Sequence, residues 1–183
     1  MHIYDKEFIQ GELPMTKQEV RAVTVAKLQL KPNSILIDVG AGTGTIGIEC
    51  ATYLSDGKVI GIEKEEKGLE TIKENVRKFN LTNYELIHGR APESIPNVEY
   101  DRMFVGGSMR SILEHFINYS TNDARLVINT ITLESLNDTM ALLKEYGFKD
   151  IEVVNMMVSR GKKIGPYTMM YGENPIYIIT INK

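Results

Sequence analysis

The residues best suited to chemistry stand together early in the chain. Ile35-Leu36-Ile37-Asp38-Val39 runs into Gly40-Ala41-Gly42-Thr43-Gly44-Thr45-Ile46-Gly47 and then into the helical Ile48-Glu49-Cys50-Ala51. A strand, a glycine-rich turn and a helix in that order bring backbone N–H groups and a helix N-terminus to the carboxyl edge of a sheet, where α/β proteins bind nucleotides. One or two glycines suffice for a tight turn, so this density points to a ligand held against the backbone. A second acid, Glu63, ends the β-rich run Val59-Ile60-Gly61-Ile62-Glu63, where a carboxylate can accept both hydroxyls of a ribose.

Two nucleotide classes fit this spacing. Gly42-x-Gly44-x-x-Gly47 spells the dinucleotide fingerprint, and Glu63 follows Gly42 by 21 residues, near the ribose-binding interval of NAD enzymes. Asp38 favours the other class. A carboxylate at the end of the first strand repels a pyrophosphate packed against the loop, but it suits a ligand carrying an ammonium and a sulfonium. S-adenosylmethionine has both charges and no phosphate.

The elements that must position these residues follow from periodicity. Strands are expected near 35–39, 58–63, 84–88, 101–106 and 124–130, and helices near 44–54, 66–80, 108–119 and 132–146. This alternation predicts an α/β fold with a mostly parallel, doubly wound sheet. The 66–80 segment puts Leu69, Ile72, Val76 and Phe79 on one face and Glu70, Lys73, Glu74, Arg77 and Lys78 on the other. Two last β-rich runs, 148–157 and 175–181, have no helix between them, so the sheet should end in an antiparallel pair joined by a long loop. Ahead of the first strand, Thr16-Lys17-Gln18-Glu19 reads as a capping box opening a helix to about Leu30.

With 183 residues, 43% apolar and 25% charged, the chain has the composition of one ordinary globular domain, 1–183. The formal charge of -3 provides no field attracting polyanions, which disfavours nucleic acid as partner. Neither a signal peptide nor a membrane span is expected. Cys50 is the only cysteine, which fits a reducing cytoplasm, and the scattered His2, His88 and His115 lack metal-ligand spacing, so no metal site is expected.

The run Asp38-x-Gly40-x-Gly42-x-Gly44 resembles the first motif of class I methyltransferases. Four further stretches narrow the resemblance: Pro14-Met15-Thr16-Lys17-Gln18-Glu19-Val20-Arg21, Gly89-Arg90-Ala91-Pro92, Phe104-Val105-Gly106-Gly107-Ser108 and Asn129-Thr130-Ile131-Thr132-Leu133-Glu134. In their order and spacing they are similar to the decarboxylating cobalt-precorrin-6B C15-methyltransferases of anaerobic cobalamin biosynthesis, over about Gly11 to Pro175. The resemblance implies a Rossmann-like class I methyltransferase fold and S-adenosyl-L-methionine as cofactor. It also implies methylation of carbon 15 of a cobalt-precorrin with loss of carbon dioxide from the ring C acetate. Cofactor contacts are expected at Thr16, Asp38, Gly40, Ala41, Gly42, Thr43, Gly44, Glu63, Arg90 and Ala91.

The substrate side is expected at the carboxyl ends of the later strands. Gly106, Gly107 and Ser108 would leave room for a flat macrocycle, and Asn129 and Glu134 are the catalytic candidates, Glu134 as a proton carrier. In the loop from Ser159 to Asn174, Arg160, Lys162 and Lys163 could pair with a tetrapyrrole's carboxylates beside Tyr167, Met169, Met170 and Tyr171; the alternatives are a solvated hairpin loop or a subunit contact. The resemblance suggests a homo-oligomer, a tetramer. An NAD-dependent oxidoreductase, a methyltransferase acting on RNA or protein, and a non-catalytic S-adenosylmethionine-binding module are the competing readings.

Overall fold

The computed structural model describes residues 2–107, 109 and 111–183. After a short 3-10 turn at Asp5–Glu7, the chain forms α1 (Gln18–Leu28), β1 (Ile35–Val39), α2 (Thr45–Ala51), β2 (Lys58–Glu63), α3 (Glu66–Lys78) and β3 (Tyr84–His88). It continues with β4 (Tyr100–Gly106), α4 (Ile112–Tyr119), β5 (Ser120–Thr130), α5 (Leu133–Glu145), β6 (Glu152–Met156), β7 (Ser159–Ile164), β8 (Tyr167–Gly172) and β9 (Ile176–Asn182). Seven of the strands make one sheet in the order β3-β2-β1-β4-β5-β9-β6, and β7 and β8 pair with each other. The first five are parallel; β9 runs antiparallel to both β5 and β6.

Apolar side chains alternate across this sheet because successive strand residues face opposite sides. Ile37, Val39, Ile60, Ile62, Met103 and Val105 pack with Leu113, Phe116 and Leu143 of α4 and α5. Leu36, Val59, Phe104 and Val127 pack on the other side with Val20 and Leu28 of α1 and Cys50 and Ala51 of α2. Burying each such side chain contributes about 1.5–3 kcal/mol, so a one-residue slip that reverses the faces is strongly disfavoured. The two-faced pattern expected for α3 is present: Leu69 and Ile72 are buried, and Glu70, Lys73, Glu74, Arg77 and Lys78 are exposed.

Three local expectations need correction. The capping box does not form, because α1 starts at Gln18 with Lys17 at the cap position and no side-chain cap, leaving Thr16 outside the helix. The helix expected over 108–119 begins at Ile112; Ser108 and Arg110 lie outside the described residues. The long loop of 159–174 is a β-hairpin with regular pairing from Ser159–Gly172 to Ile164–Tyr167, closed by Gly165 at φ 58°. None of the helices is long and apolar enough to cross a membrane among the described residues.

Residues 2–17 lie against α2 and α3. Ile3 and Phe8 are buried beside Ile48, and the Asn75 amide both accepts the Ile9 N–H (2.8 Å) and donates to the Ile9 carbonyl (3.0 Å). This strap then leads Pro14 and Thr16 to the carboxyl edge of the sheet.

Candidate active site

The glycine loop leaves β1 at that edge and folds back over β2: the Gly40 and Ala41 N–H groups both donate to the Ile62 carbonyl (3.0 and 3.1 Å). Gly40 has φ 69°, and a Cβ there would stand 3.0 Å from the Gly106 carbonyl oxygen at the end of β4. Glycine is therefore required both by conformation and by the close approach of two strand ends.

Two hollows meet at Gly40. One, of about 320 Å³, is walled by Val39, Glu63, Arg90 and Ala91, with Glu93 and Ser111 beside them. The other, of about 310 Å³, is walled by Pro14, Thr16, the loop Gly40 to Thr43, and Phe104, Gly106 and Gly107. Asn129, Ile131, Ser135 and Ile176 close its far side. An elongated ligand lying across the loop would therefore place one end beside Glu63 and the other beneath the ends of β4 and β5.

Glu63 is built to present an acceptor. Its Oε2 accepts the Gly42 N–H (2.7 Å), and its Oε1 accepts the N–H groups of Lys64 and Glu65 (both 2.8 Å). These three bonds fix the carboxylate without neutralising it. Because Oε1 already has two donors, the remaining capacity is mainly on Oε2, fewer free sites than the two-oxygen ribose contact expected from position alone.

Asp38 differs from its expected role. It shares the face of β1 that carries Leu36, so its fully buried carboxylate points beneath α2, where Oδ2 accepts the Gly47 N–H (3.1 Å). It lines neither hollow. Burial first, and the Glu63 charge in addition, raise its pKa from 3.8 to about 7, against the opposing pull of the Gly47 N–H. Asp38 thus holds the first turn of α2 from below. Gly44 also turns away from the cleft: it sits at the cap of α2, and a Cβ there would press on Ile72 at 2.9 Å.

The other expected site residues separate into lining and distant groups. Gly40, Ala41, Gly42, Thr43, Glu63, Arg90, Ala91 and Thr16 line the cleft, as do Gly106, Gly107 and Asn129. Asn129 is tied to α1, its amide donating to the Thr24 hydroxyl (3.0 Å). Glu134 is exposed in the first turn of α5, between the lining residues Ile131 and Ser135 in sequence but not itself a wall. Arg160, on β7, donates to Glu173 (2.6 Å) and Glu19 (3.1 Å), whose hydrogen bonds and charges keep its guanidinium firmly protonated. Its charge is already matched. Of the walls that sequence reasoning missed, Phe104 lay inside a quoted motif, whereas Ser135 and Ile176 carried no local signal.

The precorrin methyltransferase domain matches residues 7–183. The chain belongs to the precorrin methyltransferase family. A relative from Saccharolobus solfataricus, named "Probable cobalt-precorrin-6B C(15)-methyltransferase (decarboxylating)", is 37% identical over 94% of this chain and 90% of its own. A precorrin-6Y C5,15-methyltransferase structure from Geobacter metallireducens superposes with a TM-score of 0.89 at 32% identity, covering 99% of this chain and 97% of its own. A precorrin 8W decarboxylase from Methanobacterium thermoautotrophicum gives the same TM-score at 30% identity, over 97% of this chain and 98% of its own. A precorrin methyltransferase transfers a methyl group, so the dinucleotide spelling at Gly42 to Gly47 does not make this chain a hydride-transferring enzyme.

Proposed function

We propose that this protein is an S-adenosylmethionine-dependent C-methyltransferase that methylates carbon 15 of a cobalt-precorrin and releases carbon dioxide from the ring C acetate. The observation that carries the reading is the pair of hollows joined at Gly40, with the Glu63 carboxylate held by three backbone N–H groups at one end and a glycine-lined wall at the other. The residues suit the donor: a backbone cradle that a side chain at Gly40 would fill, and an oriented acceptor for a ribose hydroxyl. When bound, S-adenosyl-L-methionine supplies an electrophilic methyl group on its sulfonium.

In this reading Glu63 accepts from the ribose, Arg90 and Ala91 flank the adenine, and Thr16 with Gly40 to Thr43 encloses the methionine portion. Gly106 and Gly107 leave space for the tetrapyrrole against the backbone, beside the Phe104 wall. Ordering donor and acceptor in one cleft is the chief contribution required, since the methyl is already activated. When the acetate carbon–carbon bond breaks, its electron pair passes into the conjugated macrocycle and a proton is taken up; Asn129, fixed by Thr24, orients the substrate, and Glu134 at the rim handles the proton.

The acidic net charge supports a small-molecule substrate over nucleic acid or a membrane. The buried lone thiol of Cys50 supports a cytoplasmic setting. The hairpin supports a homo-oligomer, a tetramer by the family resemblance: Tyr167, Met169, Met170 and Tyr171 are all exposed and need a covering surface. With Arg160 committed to two carboxylates, Lys162 and Lys163 are the better cations for substrate carboxylates.

The test is calorimetric titration with S-adenosylmethionine and NAD in parallel, followed by turnover of a cobalt-precorrin while methyl incorporation and carbon dioxide release are counted together. Selective donor binding and equal yields of the two products are expected, and Glu63→Gln should weaken donor binding roughly 10- to 100-fold. Preferential NAD binding would overturn the assignment.

A further inference from the structure

The motif Pro14 to Arg21 ends in a residue that touches neither hollow. Arg21 is fully buried, and its guanidinium makes four hydrogen bonds that radiate to separate parts of the chain. Nε donates to Glu49 on α2 (2.6 Å), Nη1 to the Asp5 carboxylate (3.0 Å) and the Thr16 carbonyl (2.7 Å), and Nη2 to the Ile3 carbonyl (2.5 Å). The Phe8 ring lies against it, 4.8 Å from centroid to guanidinium carbon.

These partners have one thing in common. Ile3, Asp5 and Phe8 belong to the beginning of the strap, Thr16 ends it as a wall of the second hollow, and α2 contributes Thr45 and Ile46 to that same hollow from its first turn. The start of α1 has no side-chain cap to hold the Thr16 backbone, and the Glu19 carboxylate that would have formed the box is turned to Arg160. Arg21 replaces that local fastening by one that also reaches α2 and the far end of the strap.

We infer that Arg21 is a positioning residue for the donor site, clamping the strap residue Thr16 and helix α2 in register so that the wall of the donor hollow is formed before the ligand arrives. The inference rests on the donor assignment made above. A planar fork with five N–H donors satisfies four acceptors in different directions, which a lysine ammonium with three donors at one point cannot do. Preformed walls raise affinity by reducing what must be ordered on binding.

The experiment uses S-adenosylhomocysteine as probe in calorimetry, with hydrogen exchange of residues 3–17 in the unliganded protein as an independent readout. For Arg21→Lys we expect a Kd raised at least tenfold, faster exchange confined to the strap, and kcat at saturating donor within about threefold of wild type. Removing one partner of a buried ion pair is commonly destabilising, whereas replacing both by apolar residues is often neutral. The double substitution Arg21→Met with Glu49→Met removes both charges of that pair while still withdrawing the bonds to the strap, and, with its native fold checked by far-UV circular dichroism, it should bind the probe at least tenfold more weakly. Wild-type affinity in either folded variant, or unchanged strap exchange in Arg21→Lys, overturns the inference. Failure of wild-type protein to bind the probe overturns the donor assignment instead.

Discussion

The glycine loop and the β7–β8 hairpin are built on opposite principles. Around Gly40 the chain closes on itself: the loop N–H groups, the Glu63 carboxylate, the Asp38 carboxylate and the β4 end hold one another at hydrogen-bond or contact distance. In the hairpin, Ile164, Tyr167, Met169, Met170 and Tyr171 are 46%, 72%, 52%, 64% and 47% exposed, and its tie to α1 is the Arg160–Glu19 pair at the surface. A region that satisfies itself can serve as a rigid receptor. A region whose apolar groups have no cover among the described residues is where the proposed assembly would supply one.

The contrast is most strongly tested by Gly40→Val. A left-handed conformation costs an ordinary residue about 1–2 kcal/mol, and the branched side chain would collide with the Gly106 carbonyl, so donor binding should fall more than 100-fold while far-UV circular dichroism stays native. Retained binding would mean that the loop is not the rigid receptor described. A charge on the hairpin should do the converse. Met170→Glu is expected to lower the oligomer mass seen by light scattering and raise the KM for the tetrapyrrole several-fold, with donor affinity within about threefold of wild type. An unchanged mass would remove the hairpin as an assembly surface.

The smallest effect concerns the underside of α2. The Asp38 carboxyl titrates near 7 in the folded protein against 3.8 ordinarily, because it is buried. The folded state then binds the proton more tightly than the unfolded state, so stability declines as pH rises from about 4 to about 7 and levels off above that. Asp38→Asn removes this dependence and puts a neutral amide where Oδ1 has no partner among the described residues. Denaturation at several pH values should show the variant gaining about 1 kcal/mol or more over wild type by pH 7 and converging with it near pH 4. A constant difference across that range would place the effect elsewhere.

Much of the candidate site could be read directly because its parts are neighbours in sequence. The order of β1, glycine loop and α2, the acid closing β2 and the period of α3 all depend on residues within a few positions of each other. The two strands of the hairpin are not legible in the sequence because both of its faces are exposed, so Arg160-Gly161-Lys162-Lys163 and Met169-Met170 show no alternation between buried and solvated positions. Thr16 and Glu19 have the letters of a capping box, but each found a better partner: the cleft for the first, Arg160 for the second.

By itself, then, the amino-acid order determined the α/β alternation, the backbone cradle and the family likeness, since local spacing dictates strand, turn and helix and those place N–H groups at the sheet edge. Only the tertiary structure decided which charged groups face the cleft. Asp38 went beneath α2 because period-two geometry put it on the Leu36 side, and Arg160 was bound to a carboxylate 141 positions away. Arg21 joined Glu49 across 28 positions. Pairings of that range depend on how helices and strands stack, which no local pattern encodes.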